Sequence, residues 1–182
     1  MKRTGPMNEE RVVLVDVADV EIGTMSKSRA HREGRLHRAF SIFIFNKEGR
    51  LLLQRRADGK YHSGGLWTNS CCSHPRPGES LAMATKRRLK EELGISSALS
   101  PEFTFTYRAD VGPGLVEHEY DHVFFGTYDG PVRPVAAEVS EVRWMRMNDL
   151  ADDLRTSPAN YTAWLTICWP RVWERFVALR RA

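Results

Sequence analysis

Residues 67–74, WTNSCCSH, place two adjacent cysteines and a histidine in a chain that contains only three cysteines. If this stretch is an extended strand, Cys72 and His74 share one face and Cys71 lies on the other. A thiol beside an imidazole can carry protons or bind a metal, whereas Cys71 is expected to pack in the core as buried cysteines commonly do. On this stretch alone, the alternative that both cysteines are core residues stays open.

The same alternation applies to residues 116–122, VEHEYDH. Glu117 and Glu119 share a face, and His118 points away from it. Two carboxylates on one face repel each other unless a cation or a base lies between them. The stretch therefore indicates either a functional site or an exposed acidic edge.

Two further histidines, His31 and His37, lie upstream. With the residues above they form a set of three imidazoles and two carboxylates: His31, His37, His74, Glu117 and Glu119. This mixture suits a borderline divalent ion such as Mn²⁺ or Zn²⁺ in a site with more than four ligands. Isolated histidines are more often solvated or core residues, and the sequence does not show that these converge.

A helix is predicted from Ser80 to Leu93, with Gly94 in the position that a helix C-cap favours. Residues 73–95 resemble the Nudix box, a motif that places carboxylates on a helix face, where they hold Mg²⁺ against a diphosphate. The matching positions are Glu79, Arg87, Leu89, Glu91, Glu92, Gly94 and Ile95, whereas Ser73 and Arg88 depart from the motif. Arginine at 88, in place of a carboxylate, is suited to clamping a phosphate. A merely solvated helix would explain the charge pairs but not the loop before it.

Together these motifs resemble the type I isopentenyl-diphosphate isomerases of the Nudix superfamily, from about Val12 to the final helix. The resemblance implies interconversion of isopentenyl and dimethylallyl diphosphate in isoprenoid biosynthesis by a 1,3-allylic proton transfer, without flavin or nicotinamide. It implies that Cys72 and Glu119 carry the protons and that Glu92 binds Mg²⁺ at the substrate diphosphate. The divalent ion, Mn²⁺ or Zn²⁺, would be bound by His31, His37, His74, Glu117 and Glu119. Substrate-binding residues would be Lys27, Arg56, Lys60, Arg88, Tyr107 and Trp164.

The implied chemistry explains the residue types. An unactivated alkene is a very weak base, so its protonation requires a well-placed acid in a dry pocket. The resulting tertiary carbocation is stabilised by an aromatic face, which Trp164 would supply. Without the resemblance, Trp164 would be interpreted as a core aromatic of the last helix. Which of Cys72 and Glu119 donates the proton stays open.

The elements around these motifs predict an α/β (α+β) fold, an α/β/α sandwich of Nudix type with a mixed sheet. Residues 12–16 are predicted as a strand, Glu21–Gly23 as a turn, 39–56 as a β-hairpin, and 57–66 as a flexible loop. A helix over 158–180 should be kinked or divided at Pro170. We expect an N-terminal extension (1–34) that contributes to the site, a Nudix domain (35–169), and the end of the C-terminal helix (170–182).

Bulk properties are compatible with this interpretation. The chain has 182 residues, a net charge of +4 and a pI of about 9.1, which is only mildly basic. No apolar run approaches the roughly 20 residues that cross a bilayer, so we expect no membrane segment, and unpaired thiols predict a cytoplasmic location. Scattered basic residues disfavour a nucleic-acid partner. A Nudix hydrolase of an organic or nucleoside diphosphate is the main alternative, and the oligomeric state stays open.

Overall fold

The computed structural model describes residues 10–181. The strands are β1 (Arg11–Val15), β2 (Glu21–Ser26), β3 (His37–Phe45), β4 (Leu51–Arg56), β5 (Trp67–Thr68), β6 (Cys71–Ser73), β7 (Leu99–Gly112), β8 (Leu115–Thr127) and β9 (Val139–Met145). The helices are α1 (Lys27–Glu33), α2 (Leu81–Leu93), α3 (Met147–Thr156) and α4 (Ala163–Arg181), with a 3-10 turn at Pro158–Asn160. No helix within residues 10–181 is long and apolar enough to span a membrane.

Strand β3 organises a mixed sheet. It pairs antiparallel with β1, β4 and β6, and parallel with β8. The long hairpin β7–β8 lies on one side, and β4 carries β5 and β9 on the other. The parallel register begins with His37 opposite Glu119, so these two predicted site residues lie side by side on neighbouring strands.

Helices cover both faces of the sheet. Alternate residues of β3 point in opposite directions, so Ile42 packs with Leu89 of α2. Phe43 faces the other way and packs with Leu165 of α4. The predicted α/β/α sandwich with a mixed sheet is therefore confirmed.

The predicted turn at Glu21–Gly23 is wrong, since these residues belong to β2. The chain reverses earlier, where the Asp16 carboxylate accepts hydrogen bonds from the amides of Ala18 and Val20. An aspartate that caps its own turn is sufficient here, and the glycine is not needed for the reversal.

The predicted extended stretch around the two cysteines is interrupted at Asn69 and Ser70. The Ser70 hydroxyl accepts a hydrogen bond from the Ile44 amide and donates one to the Leu52 carbonyl, so it bridges β3 and β4 where these strands diverge. Asn69 donates to the carbonyls of Ile42 and Cys71. These buried side chains satisfy backbone groups that the sheet leaves unpaired.

The two long helices that flank the sheet agree with their predictions to different degrees. Helix α2 begins after Ser80, whose hydroxyl accepts from the Met83 amide, and ends at Leu93, where Gly94 caps it with a φ of 68°. Helix α4 continues through Pro170, so the chain is not divided there. Burial of Trp169 and Val172 on either side holds α4 against the sheet. The predicted boundary after residue 169 falls inside this helix, and residues 1–9 and 182 of the predicted segments lie outside the described residues.

Candidate active site

A cavity of about 610 Å³ opens beside the edges of β6 and β8. The predicted residues that line it are Cys72, His74, Glu117, Glu119, Tyr107, Trp164, Lys27, Arg56, Lys60 and Arg88. Three predicted residues, His31, His37 and Glu92, are buried but do not line it. Lys27 and His31 belong to α1, so the predicted N-terminal extension reaches the site.

The two adjacent cysteines lie on opposite faces of β6, as alternation predicts. Cys71 is fully buried and packs against the core beneath α2, whereas Cys72 lines the cavity. The Thr68 hydroxyl is 3.9 Å from the Cys72 sulfur. Burial raises the pKa of the Cys72 thiol to about 12, so this group keeps its proton near neutrality.

Four buried groups form what we call the histidine cluster: His31, His37, His74 and Glu119. Their ligating atoms all lie within 4.8 Å of one another. His74 Nε2 is 2.9 Å from Glu119 Oε1, and His37 Nε2 is 3.5 Å from the same oxygen. Helix α1, strands β3 and β8, and the segment after β6 each contribute one member.

The histidine cluster fits a divalent cation. Both ring nitrogens of His31, Nε2 of His37 and Nδ1 of His74 are buried without a hydrogen-bond partner among the described residues. His37 Nδ1 donates to the Arg35 carbonyl at 2.8 Å, which leaves a lone pair on Nε2. Burial lowers the pKa of His31 to about 2, so its imidazole is neutral and able to ligate. Buried unpartnered nitrogens are costly unless a ligand satisfies them.

Glu117 lies beside the histidine cluster but is not one of its four members. One of its oxygens accepts from the Tyr107 hydroxyl at 3.0 Å, and the other is 3.3 Å from His62 Nε2. Burial, with the charge of Glu119 adding to it, raises the pKa of Glu117. The expected pair of carboxylates on one face of β8 is present; the Tyr107 hydroxyl contacts both of them, and His62 contacts Glu117.

Tyr107 lines the cavity with a side chain that is aromatic along its ring and polar at its tip. Its hydroxyl faces both carboxylates and is 2.7 Å from Glu119 Oε2, while its ring stacks on Phe105 with centroids 5.5 Å apart. The side chain therefore joins the aromatic face of β7 to the acidic pair. Burial raises its pKa, so the phenol remains a donor.

The cationic side of the cavity, which we call the basic rim, consists of Lys27, Arg56, Lys60 and Arg88. Lys27 pairs with Glu10 at 3.1 Å, and Lys60 and Arg88 both pair with Glu138. Arg56 forms no ion pair within residues 10–181; it donates to the His62 carbonyl, and its guanidinium lies 5.2 Å from the Trp164 ring centroid.

Glu92 is placed behind the basic rim. Arg88 donates to one of its carboxylate oxygens, and Gln54 donates to the other at 3.0 Å. The helix also holds the loop before it, since Arg87 makes two hydrogen bonds to Glu79 at 2.7 and 2.8 Å. Glu92 therefore lies one hydrogen bond behind Arg88 and does not itself line the cavity.

Trp164 closes the apolar side of the cavity. It is buried, and its indole N–H donates to Asn69 Oδ1 at 3.2 Å, so the interruption between β5 and β6 fixes the ring. Asn69 also accepts from the Thr68 hydroxyl. The ring is therefore held by a polar network beneath it.

Sequence reasoning missed His62, Glu10, Glu138 and Asn69. His62 belongs to the loop predicted as flexible, yet it is buried and lines the cavity. That loop is ordered by its own backbone: the Gly65 amide donates to the Arg56 carbonyl, and a Cβ on Gly64 would lie only 2.5 Å from the Asp58 carbonyl oxygen. A histidine among glycines was the available signal, but no periodicity gave its direction.

The NUDIX domain family matches residues 35–165 of this chain. An isopentenyl-diphosphate Delta-isomerase of Aromatoleum aromaticum is 52% identical over 166 residues, which cover 90% of this chain and 87% of the relative. The enzymes of that name from Serratia proteamaculans and Pectobacterium atrosepticum are 51% and 45% identical. They cover 87% and 94% of this chain, and 89% and 96% of their own lengths.

Solved structures resemble the chain in fold. A crystal structure of a protein from Deinococcus radiodurans superposes with a TM-score of 0.75 at 20% identity, covering 89% of this chain and 98% of the other. A MutT protein from Methanosarcina mazei Go1 gives a TM-score of 0.61 at 21% identity, with coverage of 81% and 96%. At these identities the likeness establishes the fold alone.

Proposed function

We propose residue roles and a mechanism for this chain, which belongs to the isopentenyl-diphosphate Delta-isomerase family of NUDIX-domain proteins. The chain is an isomerase that interconverts isopentenyl diphosphate and dimethylallyl diphosphate in isoprenoid biosynthesis by a 1,3-allylic proton transfer. One observation carries the residue roles: two titratable groups from different strands, Cys72 and Glu119, face the same cavity between a basic rim and a buried aromatic ring.

The histidine cluster is proposed to hold one divalent ion, Mn²⁺ or Zn²⁺, with Glu117 as a further ligand. The unpartnered nitrogens of His31, His37 and His74 support this role. A bound cation would supply positive charge that tunes the acidity of neighbouring groups. The chain itself orients Glu119, because two imidazoles and the Tyr107 hydroxyl contact its carboxylate.

The basic rim is proposed to bind the substrate diphosphate. Each of Lys27, Lys60 and Arg88 is paired with a carboxylate, and a diphosphate carries more charge than one carboxylate. Arg88 would contact the diphosphate, and Glu92, which Arg88 contacts, would help to hold the Mg²⁺ that accompanies the substrate. Support for this role is the position of Arg88, which bonds Glu92 and faces the cavity.

Proton transfer is proposed to use Cys72 and Glu119 as the two carriers. One of them protonates the terminal carbon of the alkene, and the other accepts a proton from the carbon beside the resulting tertiary cation. Trp164 and Tyr107 supply aromatic surface around the reacting carbons. The thiol of Cys72 is sheltered beside Thr68, and the deep placement of both carriers keeps water from trapping the cation.

Three free cysteines support a cytoplasmic location for this reaction. The alternative hydrolytic activity is disfavoured by Arg88, which occupies a carboxylate position of the Nudix box and neutralises Glu92. Hydrolysis at a diphosphate uses several carboxylates for metals and for water activation.

Incubation with isopentenyl diphosphate and Mg²⁺ tests the function. We expect dimethylallyl diphosphate to accumulate to an equilibrium mixture while free phosphate stays at the level of a protein-free control. Released phosphate or diphosphate without the isomer would overturn the proposal in favour of hydrolysis.

A further inference from the structure

His62 is a buried histidine in the active site that the mechanism above does not use. It lies in the loop between β4 and β5 and is only 8% exposed. Its ring centroid is 5.2 Å from that of His31 and 6.3 Å from that of Trp164. Its Nε2 is 3.3 Å from Glu117 Oε1. The loop therefore inserts one imidazole between the histidine cluster and the aromatic wall.

We propose that His62 is a positioning residue whose Nε2–H donates a hydrogen bond to Glu117 and thereby orients that carboxylate towards the histidine cluster, where the cation would bind. This role deepens the proposed function, because it rests on the cation site described above. Outer partners of ligating groups commonly fix ligand orientation in this way.

The neighbours of His62 favour the required tautomer. The Ser63 hydroxyl lies 3.2 Å from His62 Nδ1 and can donate to it, which leaves the ring proton on Nε2 facing Glu117. Ser63 has a φ of 53°, the left-handed region that favours glycine and is uncommon for serine. The loop thus keeps a strained residue at the position that contacts the imidazole.

Glu117 has two fixed partners once His62 is included. Tyr107 contacts one oxygen, and His62 contacts the other. Tyr107 shares its single proton between Glu117 and Glu119, so it cannot by itself set the rotation of the Glu117 carboxylate. His62 supplies the second point that defines this rotation.

The backbone of the loop connects this contact to the basic rim. The His62 carbonyl accepts from Arg56, which also lies over the Trp164 ring. His62 therefore contacts Glu117 through its side chain and Arg56, a member of the basic rim, through its main chain. Substitution of the side chain leaves the carbonyl contact in place, which makes the two roles separable.

Three variants distinguish positioning from packing. His62→Phe keeps a ring against His31 and Trp164 but removes the donor, His62→Gln keeps an N–H donor, and His62→Ala removes both. The matched control is His122→Ala, which deletes a half-buried imidazole that also contacts a carboxylate, at 2.9 Å from Asp19 and away from the cavity.

The primary readout is the dissociation constant of Mn²⁺ added to metal-free protein, measured by competition with a chelator at fixed pH. We expect His62→Phe and His62→Ala to bind Mn²⁺ about 10- to 100-fold more weakly than wild type, the usual effect of losing an outer partner. His62→Gln should recover most of the affinity, and His122→Ala should match wild type.

Each result bears on the inference separately from the isomerase function. If wild type binds Mn²⁺ and isomerises the substrate while His62→Phe retains full affinity, the ring only fills space and the inference is wrong. If His62→Gln is as weak as His62→Phe, the donor role is also refuted. Wild-type protein that isomerises its substrate but binds no Mn²⁺ would overturn the cation site and this role together, leaving the isomerase function intact.

Discussion

The histidine cluster and the basic rim lie on the same cavity but are prepared for substrate in opposite ways. In the histidine cluster, buried ring nitrogens lack hydrogen-bond partners among the described residues. In the basic rim, Lys27, Lys60 and Arg88 are already paired with carboxylates. The nitrogens of the histidine cluster are thus available to a ligand, whereas three cations of the basic rim are already paired with carboxylates of the chain.

The difference follows from burial. The ion pairs of the basic rim are partly exposed, with 18% of the Arg88 side chain and 29% of the Glu138 side chain accessible, so water and ions can replace a broken pair there. Buried nitrogens cannot replace a missing partner with water, so a tightly held ligand is needed to satisfy them. We infer that the histidine cluster binds its cation permanently and supports the chemistry, whereas the basic rim binds and releases the diphosphate in each turnover.

The largest effect is expected from the thiol beside the histidine cluster. Cys72→Ser should lower kcat by about 10²- to 10⁴-fold, the usual contribution of a proton-transfer group. Cys71→Ser should leave most of the activity, since Cys71 faces the core under α2. Steady-state kinetics with circular dichroism as a folding check measures both. Equal losses in two folded variants would contradict the separation of the two faces of β6.

The second-largest effect is expected on the amount of metal that the purified protein contains. Wild type purified without chelator should retain about one divalent ion per chain through gel filtration, and His74→Ala should lose it together with most activity. Elemental analysis provides the measurement, and His122→Ala serves as the control. If wild type contains no bound metal, the histidine cluster does not hold a cation permanently, and the contrast with the basic rim is wrong.

An intermediate effect is expected at the aromatic wall. An analogue with a positively charged nitrogen at the cationic carbon should bind far more tightly than substrate. Trp164→Leu should weaken this analogue about tenfold more than it weakens the substrate, because the ring face stabilises positive charge. Inhibition constants for both ligands measure the ratio. Equal weakening would show that Trp164 only fills space.

The smallest effect is expected at the basic rim. Glu138→Gln removes the carboxylate that competes for Lys60 and Arg88, so KM should fall about two- to fivefold, as partly exposed ion pairs are worth roughly 0.2–1 kcal/mol. Asp149→Asn, which breaks an exposed pair with Arg146 outside the cavity, should leave KM unchanged. A rise in KM for Glu138→Gln would mean that Glu138 organises the cations for substrate.

The regular strands made much of the site predictable from sequence. Period-two alternation was sufficient to separate Cys71 from Cys72 and to place Glu117 beside Glu119. The resemblance supplied Trp164 and the residues of the basic rim, which no local pattern would have joined. The convergence of His31 with His74 required it too, because α1 and the segment after β6 are far apart in the sequence and no local pattern relates them.

Residues outside regular elements were not predictable in the same way. The direction of His62 depends on a loop that folds over Asp58, and Asn69 is placed by the divergence of β3 from β4. The wrong turn prediction at Glu21–Gly23 has a related cause, because the chain reverses at Asp16, upstream of Gly23. In each case a side-chain hydrogen bond with the backbone, or a close backbone approach, determined the path.

Isomerisation in deuterated water tests the central claim most directly, because it follows the transferred proton itself. Wild type with Mg²⁺ and isopentenyl diphosphate should form dimethylallyl diphosphate with deuterium in a methyl group, and Cys72→Ser should form almost none, as read by NMR. Dimethylallyl diphosphate without deuterium would mean that the transferred proton does not come from a group that exchanges with the solvent. That result, or labelled product formed equally fast by folded Cys72→Ser, would contradict the account.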